Sequence, residues 1–229
     1  MNKLLLIVGL LLVTFTGGCI REYRSYDFTY QADAVRLPSA TALEQYTLGV
    51  AKFEDKRSWV DIGNPRSESF VSQEGTLYIG MTYNKIDYVP VKDIVQDLLV
   101  KELTNAGFKA KALDFVLTKE NADRINKVGT GRVGDFVLGG VVSAFEVVNK
   151  PGPWISVTSN RKVLLEVELF SGKDVRLILN SNISETENQE YPIGVVPQVS
   201  VHNLMNQVFK KAAQQVLKKT VDGILADLH

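Results

Sequence analysis

An uncharged apolar run near the N-terminus, Leu4 to Phe15, constrains this chain more than any other feature. Lys3 precedes it and Thr16-Gly17-Gly18-Cys19 follows. A short cationic start, an apolar stretch of about 7–15 residues and a small-residue exit are the anatomy of a secretory signal peptide. The run is too short for a membrane span, which needs about 20 apolar residues. A buried N-terminal helix is the alternative, but Gly17-Gly18 would end it badly. The expectation is that residues 1–18 are a signal peptide and contribute nothing to the folded body.

Cys19 is the only cysteine of the chain. With Gly17-Gly18 before it, it resembles the lipobox of bacterial lipoproteins, in which the thiol receives a diacylglycerol and cleavage leaves the cysteine as first residue. The lipobox usually carries Leu three residues before the cysteine, and here Thr16 stands there. An ordinary signal peptide with an unmodified cysteine is the plainer reading. The resemblance implies lipidation at Cys19, a membrane lipid anchor and palmitate among the acyl chains. Ile20 follows in place of the Asp that retains such proteins at the inner membrane. The implied location is therefore the outer membrane, facing the periplasm.

Beyond the anchor, composition excludes several classes. Lys plus Arg and Asp plus Glu are each 26. A balanced chain lacks the basic excess of a nucleic-acid binder, so no nucleic-acid partner is expected. Apolar residues at 45% and charged residues at 23% describe a folded domain and not a disordered one. One cysteine and two histidines leave no material for a disulfide framework or a His/Cys metal site. No metal and no cofactor are expected.

Residues 19–45 show no helical period and read as a lipidated N-terminus and tether, with room for a short edge strand near Tyr26 to Tyr30. Residues 46–229 read as one periplasmic α+β domain. Tyr46–Phe53, Thr76–Met81, Phe108–Phe115, Phe136–Val148, Arg161–Phe170 and Val175–Ile183 are strand-like, the last two as a hairpin around Ser171-Gly172-Lys173-Asp174. Glu54–Gly75 is a long polar loop with one short strand around Phe70, and 149–160 is a second loop. Pro90–Ala106 is the clearest helix, with Pro in its first turn and Gly107 at its stop. Its apolar stripe is Val91, Ile94, Val95, Leu98, Leu99, Leu103 and Ala106, and Lys92, Asp93, Gln96 and Asp97 take the wet side. Glu120–Val128 is polar and helical, and Ser200–Leu228 is a long amphipathic helix. The expected architecture is a mixed β-sheet of about five to six strands packed on two main helices, one central and one long C-terminal.

That order of elements resembles YajG-type bacterial lipoproteins and, more distantly, the periplasmic domains of TolB (its N-terminal part), CsgG and LpoB. The resemblance spans roughly residues 46–225 and implies an envelope lipoprotein that binds other proteins. It carries over no catalytic residue.

Nothing else in the chain assembles an active site, and no enzyme is expected. Gly129-Thr130-Gly131-Arg132-Val133-Gly134 fits G-x-G-x-x-G, but it follows a helix-like stretch and precedes a strand, the reverse of a dinucleotide site. His202 lies near the start of the last helix with no nucleophile motif beside it. Glu185, Glu187 and Glu190 form an acidic run in what reads as a solvated connector after the hairpin. Better candidates are Arg57 with Trp59, and Trp154 within Pro151-Gly152-Pro153-Trp154, because loop Trp and Arg recur at binding hot spots. The bland reading is that each indole caps the core. Lys210, Lys211, Lys218 and Lys219 give the last helix a basic face. The expected role is an accessory or scaffold protein in a cell-envelope assembly, with an envelope protein or a second copy as partner. A lipid or small-molecule carrier serving a transport system is the alternative.

Overall fold

The computed structural model describes residues 22–25, 43–58, 71–74, 90–152, 156–192 and 198–228. The strands are β1 (Glu22–Ser25), β2 (Thr47–Lys52), β3 (Glu54–Asp55), β4 (Val71–Glu74), β5 (Lys109–Val116), β6 (Phe136–Gly152), β7 (Ser156–Ser171) and β8 (Leu177–Pro192). The helices are α1 (Val91–Asn105), α2 (Arg124–Val128), α3 (Thr130–Val133) and α4 (Gln198–Leu228), with one 3₁₀ turn at Lys119–Asn121. The class is the α+β one that the sequence indicates, with a mixed sheet and two main helices. The strand-like stretch at Thr76–Met81 lies outside the described residues.

β6 is the spine. Along one edge it accepts three parallel strands in turn: β2 at Phe136–Leu138, β3 at Val141–Val142 and β4 at Val147–Asn149. Its other edge pairs antiparallel with β7 along its whole length, and β7 pairs antiparallel with β8. β5 lies parallel to β2 on the outside, and β1 lies antiparallel to β4. Both hairpin strands run further than their sequence signals. β6 and β7 stay paired to Gly152 and Ser156, through the segment that reads as a loop, and β8 continues to Pro192, through the acidic connector.

Gly140 shows why this spine needs glycine. Its φ is +141°, and a Cβ there would stand 1.9 Å from the Glu166 carbonyl oxygen. Its N–H donates to the Leu117 carbonyl at 2.8 Å, which docks the end of β5 over β6.

Both long helices cover one face of the sheet. α1 packs on β2 and β5, α4 on β7 and β8. Val95, Leu99 and Leu103 of α1 and Phe209, Ala212, Val216 and Ile224 of α4 meet Leu48, Leu138, Phe145, Leu165 and Leu169 in one core. Phe145 and Phe209 stack edge to face, centroids 5.8 Å apart. A smaller cluster of Ala51, Leu113, Leu117, Ile125, Val133, Val137 and Phe170 fills the opposite face beneath residues 117–133.

α1 stops where its sequence says. Gly107 takes φ +109°, its N–H donates to Thr104 O and that of Phe108 donates to Leu103 O, the two bonds of a Schellman cap. Pro90 stands one residue outside the helix, at the cap position. Gln96 corrects the expected wet side of α1. It is 5% exposed, and its amide nitrogen donates to Val50 O and Leu113 O, each at 2.7 Å. The β2–β5 register shifts just after Val50, so this amide satisfies carbonyls where the ladder slips.

Candidate contact surfaces

Of the four residues singled out for lipidation or partner contact, Cys19, Trp59 and Trp154 lie outside the described residues. Arg57 is described, and it is not offered to solvent. It is 3% exposed, and its Nε and Nη2 donate to the two carboxylate oxygens of Asp55 at 2.8 and 2.6 Å. Residues two apart in an extended segment share a side, which is why this pair forms. The pairing ties the end of β3 to the residues just after it.

The flanks of Trp154 are fixed by register. Gly152 is opposite Ser156 and Ser156 is opposite Pro192, so the described ends of β6, β7 and β8 lie level with one another. β1 belongs to the same end. It falls within the segment that reads as a tether, three residues after Cys19, and continues the sheet beyond β4.

On the face away from the long helices, a charged cluster sits over the middle of β7. Lys119 Nζ reaches Glu166 Oε1 at 2.6 Å and Glu168 Oε1 at 3.7 Å, and its backbone N–H donates to Glu168 Oε2 at 2.6 Å. Asn180 of β8 donates to Glu166 at 3.1 Å. Glu168 is fully buried, and its Oε1 accepts no hydrogen bond. Burial pushes its carboxyl above the usual carboxylate range, against the pull of the Lys119 N–H. The Lys119 ammonium and the Asn180 amide hold Glu166 below that range. The cluster fastens the turn at 118–121 to β7. Sequence reasoning passed over it, although Glu166 and Glu168 at i, i+2 in a strand had to share a face.

The remaining motifs resolve into structure. The glycine pattern spans the α2–α3 connection, with Gly129 at φ +95° and Gly134 at φ +116°, and it leads into β6 instead of opening a long helix. The acidic run belongs to β8. Glu185 accepts from Gln215 and Glu187 lies 3.8 Å from Lys211, so α4 uses both. Lys211, Lys218 and Lys219 are exposed and Lys210 is half-buried. His202 lies in α4. Among the described residues no group of three or more His, Cys, Asp or Glu is placed to hold a metal ion, and no helix is long and apolar enough to cross a membrane.

No family model and no curated protein matches this chain. Solved structures do. Protein XCC0632 from Xanthomonas campestris, of the family described as DUF330, aligns with TM-score 0.52 at 14% identity, over 80% of this chain and 88% of that one. A neuraminyllactose-binding hemagglutinin homologue from Helicobacter pylori aligns at TM-score 0.46 and 11% identity, over 90% and 100%. Lipoprotein GNA1162 from Neisseria meningitidis aligns at 0.39 and 11%, over 73% and 98%. The likeness to XCC0632 is one of fold.

Proposed function

We propose that this chain is a bacterial lipoprotein, acylated on Cys19 and held at the outer membrane with its α+β domain in the periplasm. It acts as an accessory or scaffold protein in an envelope assembly. One observation carries the reading: the sole cysteine stands directly after an apolar run and a Gly-Gly exit, three residues before the first strand. Each buried methylene of an acyl chain contributes about 0.8 kcal/mol, so two or more chains anchor a protein stably where one does not. The resemblance of the element order to YajG-type lipoproteins supports the accessory role.

Labelled palmitate fed to producing cells should enter the wild-type protein and be absent from Cys19→Ser. The variant should leave the membrane fraction. Retention of Cys19→Ser on membranes, with no label in the wild type, removes the lipoprotein reading.

A further inference from the structure

Among the described residues β8 pairs with β7 alone, so its outer backbone edge is open. Unpaired N–H and C=O groups along an edge are a template for another strand, and proteins blunt such edges with lysine, proline, bulges or shortness. β5, at another edge of the sheet, is blunted in this way: it has eight residues, Lys109 and Lys111 among them. β8 has sixteen, with no lysine, arginine, glycine or proline before Pro192. Its register with β7 runs unbroken from Leu179 to that proline. Asn182, Ser184, Thr186 and Asn188 share the face of Asn180, away from the long helices, and all four are exposed.

Charge along β8 is confined to one half. Leu177–Ser184 carries none, and Glu185, Glu187 and Glu190 follow. Within the chain Glu185 accepts from Gln215 and Glu187 lies 3.8 Å from Lys211. Laid parallel and in register on its own copy, the strand would set each glutamate against itself, and like charges directly opposite destabilise a sheet. Laid antiparallel about a two-fold axis at Ser184, it sets every glutamate against the uncharged half: Glu185 on Ile183, Glu187 on Ser181 and Glu190 on Ile178 of the second copy. On the other face Asn182 meets Thr186 and Ser184 meets Ser184, amide and hydroxyl groups that hydrogen-bond across strands. We infer that β8 is the interface of a symmetric dimer, in which two copies join their sheets edge to edge about Ser184. Such an isologous contact closes on itself and builds no fibre. It stands independently of the acylation of Cys19 and gives the scaffold role a second copy of this chain as partner.

Directly opposite Cα atoms of an antiparallel pair lie about 4.5–5.5 Å apart, inside the range a disulfide bridges. Full-length Ser184→Cys, oxidised, should therefore give a covalent dimer well above the level of wild type, which carries Cys19 alone. Asn182→Cys and Thr186→Cys should each stay at the wild-type level by themselves and crosslink when produced together, because 182 faces 186 and not itself. Wild type, in detergent where it bears lipid, should sediment as a dimer. Ser184→Lys sets two ammonium groups face to face and should sediment as a monomer with an unchanged circular dichroism spectrum. A monomeric wild type overturns the proposal. So does an oligomer that Ser184→Lys leaves intact, or one in which Asn182→Cys links to itself in place of Ser184→Cys, since another surface then holds the copies together. If Ser184→Lys fails to fold, the cysteine pattern decides, because cysteine nearly matches serine in size. None of these results bears on palmitate labelling, which tests the lipoprotein reading separately.

Discussion

Gln96→Leu isolates the polar joint between α1 and the slipped β2–β5 ladder. Leucine nearly matches glutamine in volume and keeps the helix, so no large cavity opens. What is lost is one amide group that donates to two buried carbonyls, Val50 O and Leu113 O, at 2.7 Å each. A buried group stripped of its partner costs about 1–3 kcal/mol, and bonds to backbone carbonyls at a site 5% exposed have no water to replace them. For two carbonyls the cost is about 2–6 kcal/mol, and the apolar leucine returns part of it, which leaves roughly 2–4 kcal/mol. In a domain of this size each kcal/mol moves Tm by about 2–4 °C, so the variant should melt roughly 4–16 °C below wild type. Thermal and urea unfolding followed by circular dichroism would measure it, with the exposed neighbour Asp97→Ala as a control expected within about 0.5 kcal/mol. A Gln96→Leu variant as stable as that control would refute the reasoning, because the two carbonyls would then have other donors.

Two further perturbations act on buried charge. Arg57→Met should destabilise by about 3–5 kcal/mol, since it strands the Asp55 carboxylate in a site 8% exposed, and a combined Arg57→Met, Asp55→Leu variant should regain most of the loss; urea midpoints at neutral pH decide, and equal stability of Arg57→Met and wild type would show the pair to be inert. For Glu168→Gln the sign follows from burial: the folded state holds the proton more tightly than the unfolded one, so the native carboxyl weakens the fold as pH rises above its ordinary value of about 4.3. The variant keeps an acceptor for Lys119 N–H, so it should gain on wild type as pH rises from 4 to 7 and match it in acid; a difference independent of pH would contradict this.

Where apolar period, cap and stop coincide, the chain is readable. α1 is such a case, with its stripe, Pro90 and Gly107 all in agreement, and β2 and β5 follow from short apolar runs. Gln96 departs from the pattern because periodicity treats every polar residue as wet, whereas a glutamine can serve a gap between strands. The extensions of β6, β7 and β8 were missed for a related reason. Asn149, Lys150, Asn160, Thr186, Glu187 and Asn188 are polar, and a polar sheet end looks like a loop until its register is known. β1 offers only four residues, too few to show a period. Arg57 carries two local signals, Asp55 two residues before it and Trp59 two residues after, and the ion pair with Asp55 is the one visible in the structure. The Cys19 proposal rests on local sequence alone, and Cys19 lies outside the described residues.

The dependence of three strands on β6 orders the folding reaction in time. The β6–β7–β8 meander and the helix that follows it need only neighbours in sequence, and such contacts form fast. β2 must wait for a host 88 residues further along the chain, and β3 and β4 for later parts of the same strand. A chain that emerges from its N-terminus presents these dependent strands first and their host afterwards. Until that host is made, the chain carries β-prone segments with nothing of its own to pair with. The interval until residue 152 emerges is the period in which this chain is most exposed to wrong partners and most in need of a chaperone's cover.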